Sequence, residues 1–89
     1  MIKLEVRLFG ALRKYEAQFA PVHVHIEESA TVAAIKDALI EKLRSQAPGF
    51  SDSQLIEDSV LATERRVLAS GEMVGTACVL SILPPVCGG

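Results

Sequence analysis

The chain has 89 residues, 49% hydrophobic and 22% charged, with a net charge of −2, which bounds it to one globular domain. That balance is too apolar for a disordered chain and not basic enough for a nucleic-acid binder, and with one Tyr and no Trp, bases would find no stacking platform. Charges at Lys3, Glu5 and Arg7 break any signal-peptide core, and the run Ala77 to Leu83 is too short to span a bilayer; a cytoplasmic setting with reduced cysteines is expected.

Ile2, Leu4, Val6 and Leu8 alternate with Lys3, Glu5 and Arg7, the period of a strand with one buried side. Gly10 ends it, and Ala11 to Tyr15 reads as a turn or a short helical segment. Val22 to Ile26 alternates again, and the short connection makes it antiparallel to the first strand. Glu27-Glu28-Ser29-Ala30 breaks the pattern. Thr31 is placed to cap a helix running to about Ser45, with Val32, Ile35, Leu39 and Leu43 on its apolar face and Ala38 beside them. Gln46-Ala47-Pro48-Gly49 stops this helix, and Phe50 to Glu57, without a clear period, is read as a loop with room for a helical turn. A short third strand is expected at Ser59 to Thr63, a turn at Glu64-Arg65-Arg66, and further turns at Gly71 and Gly75 around Met73-Val74. Cys78 to Leu83 is apolar on both faces, which suits a strand in the middle of a sheet with the first strand as its parallel neighbour. The expected fold class is α+β: a mixed sheet over residues 1–83 with one main helix packed on one face, followed by an extended tail over 84–89.

That tail, Pro84-Pro85-Val86-Cys87-Gly88-Gly89, is where chemistry is expected. Two prolines pair poorly with a sheet and favour an extended spacer, so the segment could reach roughly 20 Å from the domain. Gly88 and Gly89 carry no Cβ and can enter a slot too narrow for other residues. What they would deliver is a terminal carboxylate with an ordinary pKa of about 3.5, anionic and nucleophilic at neutral pH.

Other constellations carry less. His23 and His25 share one strand face, but no Cys or further His stands nearby at ligand spacing, so no metal is expected. No serine or cysteine sits in a nucleophile turn, and Gly71 and Gly75 lack the Gly-Lys-Ser/Thr of a phosphate loop, so the chain alone is expected to bind no cofactor. Phe9 and Leu83, with Val86, fit either the core or an exposed apolar docking patch.

The ending Ile82-Leu83-Pro84-Pro85-Val86-Cys87-Gly88-Gly89 resembles the ubiquitin-like sulfur carriers of the MoaD/ThiS type, and among them the small subunit of molybdopterin synthase, whose tails read Pro-Pro-hydrophobic-small-Gly-Gly. Leu8-Phe9-Gly10-Ala11-Leu12-Arg13-Lys14 looks like that family's first strand and following turn, and Thr31-Val32-Ala33-Ala34-Ile35 like the opening of its helix. The resemblance implies a β-grasp (ubiquitin-like) fold. It also implies that an E1-like adenylating enzyme (MoeB-like) takes Gly88-Gly89 into its ATP site and forms an acyl adenylate, and that a persulfide sulfur donor converts this to a thiocarboxylate on Gly89. The large subunit of molybdopterin synthase (MoaE-like) would then receive the sulfur for a pterin precursor in molybdenum cofactor biosynthesis. Gly89 would be the reacting residue and Gly88 its clearance, while Pro84, Pro85 and Val86 set reach and direction and Phe9 and Leu83 join Val86 in docking. A ubiquitin-like protein modifier, a sulfur carrier for thiamine or cysteine, and a non-catalytic interaction module stay open beside this reading. The chain departs from the family at Val74-Gly75-Thr76-Ala77-Cys78, where an acidic turn is usual, and at Cys87, where Ala, Ser or Thr is usual.

Overall fold

The computed structural model describes residues 2–13, 15, 22–47, 49–69 and 71–85. Its strands are β1 (Ile2–Leu8), β2 (Val22–Ile26), β3 (Ala30–Thr31), β4 (Val60–Ala62), β5 (Met73–Val74) and β6 (Val79–Leu83). A long helix covers Val32–Gln46 and a short one Ser53–Glu57.

Alternation decides the sheet. Leu4, Val6 and Leu8 of β1 are buried, as are Val22, Val24 and Ile26 of β2, and the two strands pair antiparallel with Ile2 opposite Ile26 and Val6 opposite Val22. On the other side of β1, β6 runs parallel with Leu8 opposite Ile82. β4 then pairs antiparallel with β6, Val60 opposite Leu83. The order β2-β1-β6-β4 puts the first and last strands in the centre, which is the β-grasp arrangement expected from the sequence. In β6, however, only Leu80 and Ile82 are fully buried, and Val79 remains 40% exposed. Apolar residues on both sides of β6 therefore do not mean two covered faces.

The long helix closes the other face. Thr31 Oγ1 accepts from the Ala34 N–H at 3.2 Å, a cap typically worth about 1 kcal/mol. Val32, Ile35, Leu39 and Leu43 are buried as expected, and so is Ile40, which the predicted stripe left out. The short helix explains the difference: it packs against the long one, and Lys36, which shares that flank of the helix with Ile40, donates from Nζ to the Glu57 carbonyl at 3.1 Å. Ile56 of the short helix is fully buried in the same core.

β3 and β5 form a separate two-stranded antiparallel sheet, with Ala30 opposite Val74 and Thr31 opposite Met73, where the sequence reading had only a break and turns. This ladder brings Glu72 to the start of the long helix, and the Val32 N–H donates to the Glu72 carbonyl at 3.0 Å. The Glu72 carboxylate pairs with the Arg66 guanidinium and accepts the Ala69 N–H at 3.1 Å. Those contacts, the Arg66 hydrogen bond foremost, hold its pKa down to about 2.

Tyr15, the single tyrosine, is buried with its ring edge-on to Phe50 at 5.1 Å, and its hydroxyl donates to the Asp52 carboxylate. Burial first, then the bond to anionic Asp52, pushes its pKa up to about 12. Because the folded value is raised, the neutral phenol favours the fold. Its contribution is whole below the ordinary value near 10 and is lost as pH rises towards about 12. Phenolate absorbance in a pH titration is expected to show one transition near pH 12; a midpoint near 10 with native circular dichroism would contradict the buried hydrogen bond.

Candidate functional site

Because β1 and β6 run parallel with Leu8 opposite Ile82, the segments beyond both strands emerge at the same end of the sheet. Phe9 follows β1 in extended backbone, and a 3-10 turn over Gly10–Leu12 comes next. The Leu12 N–H donates to the Phe9 carbonyl at 3.2 Å, and Leu12 is fully buried, so this turn is anchored in the core. On the neighbouring strand, β6 ends at Leu83 and Pro84 follows. Proline has no N–H to continue the ladder, which is why pairing stops there.

A shallow groove of about 420 Å³ opens between these segments, lined by Phe9, Gly10, Ala11, Leu55, Leu83, Pro84 and Pro85. Phe9 is 40% exposed, Leu83 and Pro84 are half-buried, and Pro85 is exposed. Of the sequence candidates, Phe9, Leu83, Pro84 and Pro85 thus come together at one place. Phe9 belongs to the surface, which answers the choice between core and patch for that residue. Val86, Gly88 and Gly89, with Cys87, lie outside the described residues, as does most of the tail assigned to 84–89. Two surface residues were missed by sequence reasoning. Val60, 42% exposed, stands opposite Leu83 on the outer face, and Leu55 lines the groove from the short helix.

Among the described residues, every one that lines this groove is apolar. They include no nucleophile, general base or metal ligand, so they can bind an apolar surface but supply no acid–base or covalent chemistry of their own. A larger hollow of about 500 Å³ is lined by Thr63, Glu64, Arg65, Thr76, Cys78 and Val79, near the end of β6 away from Pro84. Cys78 is half-buried there, and burial raises its thiol pKa, which lowers its thiolate fraction and reactivity. His23 Nε2 lies 3.9 Å from Glu5 Oε1 across the β1–β2 pair. Among the described residues, no group of three or more His, Cys, Asp or Glu could hold a metal ion, and no helix is long and apolar enough to cross a membrane.

Comparison with known proteins gives no matching family model and no matching curated protein. Solved structures do match. The chain is similar to the crystal structure of SAMP1 from Haloferax volcanii, with 30% identity and a TM-score of 0.65 over 98% of this chain and 99% of that one. It is likewise similar to a crystal structure of H. volcanii small archaeal modifier protein 1, with 28% identity and a TM-score of 0.67 over 97% of this chain and 100% of that one.

Proposed function

Since the chain belongs to the family of the small archaeal modifier proteins, on the ubiquitin-like β-grasp fold, we propose that it is a carrier whose Gly89 carboxylate is activated by an E1-like adenylating enzyme. The carboxylate oxygen attacks the α-phosphorus of ATP held by that partner, and pyrophosphate leaves. The terminal sulfur of a persulfide donor then attacks the acyl adenylate and AMP leaves. A thiol reduces the resulting acyl disulfide to the thiocarboxylate. In this reading the loaded chain serves as the small subunit of molybdopterin synthase (MoaD-type), donating sulfur in a pocket of the large subunit.

The observation that carries the proposal is the groove at the end of the two central strands, where Phe9, Leu83, Pro84 and Pro85 meet and where the described lining residues include no reactive side chain. A surface that can dock but not react fits a protein that delivers its chemistry on an attached end. A second reading has its own support. The similar solved structures carry the name modifier, and the same acyl adenylate, transferred to a lysine amine, would make this chain a protein modifier.

Both readings need Phe9 for docking. Truncating an exposed aromatic anchor typically weakens association by about 2 kcal/mol, roughly thirtyfold in Kd, and disturbs a fold little when the ring is already partly in water. Phe9→Ala is therefore expected to weaken binding to the adenylating enzyme with little change in melting temperature, measured by calorimetry and thermal denaturation. Unchanged affinity with a lowered melting temperature would assign Phe9 to the core. Chain-dependent ATP–pyrophosphate exchange by that enzyme tests the proposal as a whole, and its absence would overturn it.

A further inference from the structure

Gly10 has φ +60, in the left-handed region where a side chain is disfavoured. A β-carbon built on it would lie 3.0 Å from Pro84 Cγ and 3.5 Å from Pro84 Cδ, against an optimal carbon–carbon separation of about 3.5–4.0 Å. Two independent constraints thus act on one position, and both disfavour a side chain. The parallel register accounts for the meeting. Gly10 stands two residues beyond Leu8 and Pro84 two beyond Ile82, and Leu8 and Ile82 are partners. Neither side of this contact can yield easily. Gly10 opens a turn whose Leu12 is fully buried, while Pro84 follows a strand whose Leu80 and Ile82 are fully buried. The proline ring can pucker but is tied to the backbone at both ends, so it cannot swing aside as a whole.

From this geometry we infer that Gly10 is a positioning residue: its bare α-carbon seats the ring of Pro84 and so fixes the direction in which the C-terminal segment leaves the sheet. The inference rests on the proposed activation of Gly89 and adds what aims it. Docking on Phe9 and Leu83 holds the domain on its partner, while the seat sets the line along which the reacting end is presented. Displacing Pro84 should therefore lower the rate of activation without weakening docking, because a reacting group moved by about 1 Å can lose up to about a hundredfold in rate.

A double-mutant cycle on the full chain tests it. Gly10→Asn keeps a residue that tolerates positive φ but puts a β-carbon in the seat, and Pro84→Ala removes the ring carbons that it would meet. The readouts are melting temperature, the nuclear Overhauser contact between Gly10 α-protons and Pro84 γ-protons, and kcat and KM for adenylation by the E1-like enzyme. The wild type is expected to show the contact. Gly10→Asn is expected to lower kcat by about tenfold or more with KM within about twofold, and the double variant to be no worse than the poorer single one, since both changes disable the same seat. Wild-type kcat in Gly10→Asn, strictly additive losses, or a loss carried entirely by KM would overturn the inference. Should Gly10→Asn fail to fold, Pro84→Ala alone decides: a lowered kcat at unchanged KM supports the seat, and unchanged kcat removes it. If the wild type is not adenylated, the proposed function falls and this inference with it; if it is adenylated and Gly10→Asn matches it, only the seat falls.

Discussion

Removing Gly89, or adding one residue after it, is expected to abolish adenylation and sulfur loading while leaving the melting temperature of the domain unchanged. In this account the nucleophile is the carboxylate of Gly89, and among the described residues the groove at the end of the sheet is lined by apolar side chains alone. One residue more or less moves that carboxylate by up to about 3.5 Å, while productive attack needs the reacting atoms within about 3–3.5 Å of each other. Stability should not follow, because among the described residues the buried core reaches no further than Ile82. Loading of the extended chain at the wild-type rate would show that the position of the end does not matter and would contradict an account built on Gly89.

Leu80→Ala is expected to act in the opposite way, on the fold before the function. Leu80 is fully buried in β6, the strand flanked by β1 and β4, where neighbours tied by two ladders can collapse little around a hole. A buried Leu→Ala change costs about 2–5 kcal/mol, a large share of the roughly 5–15 kcal/mol that holds a domain together. At roughly 4–8 °C per kcal/mol for a domain of this size, the melting temperature should fall by at least about 8 °C. Thermal denaturation followed by circular dichroism checks this, and a fall no larger than that of Phe9→Ala would contradict the central place of β6.

Much of the fold could be read in the sequence, because its longer elements satisfy their own local rules. The alternation from Ile2 to Leu8, the second from Val22 to Ile26, the Thr31 cap and the apolar Leu80 and Ile82 each imply an element that the structure contains. β3 and β5 carried no such sign. At two residues each they are too short for a period, and they exist only because the folded chain brings Ala30 opposite Val74. Ile40 was lost in a similar way, since its burial belongs to a helix flank that the short helix covers.

The candidate site divides along the same line. The alternation that turns Lys3, Glu5 and Arg7 outward extends to Phe9, so its exposure was already implied by parity. Val60 comes beside Leu83 of the groove only through strand pairing, and Leu55 lines the groove only through the placement of the short helix, neither of which one sequence specifies. Gly10 was read as the end of a strand; its meeting with Pro84 depends on the register of two strands far apart in the chain.

Intact-mass spectrometry of the chain after incubation with its E1-like enzyme, ATP, a persulfide donor and a thiol reductant is the decisive test of sulfur carriage on Gly89. A mass increase equal to the exchange of one oxygen for sulfur is expected, located on Gly89 by fragmentation and absent when ATP is left out. An unchanged mass in a mixture that hydrolyses ATP normally, or sulfur found on Cys78 or Cys87 instead, would contradict it.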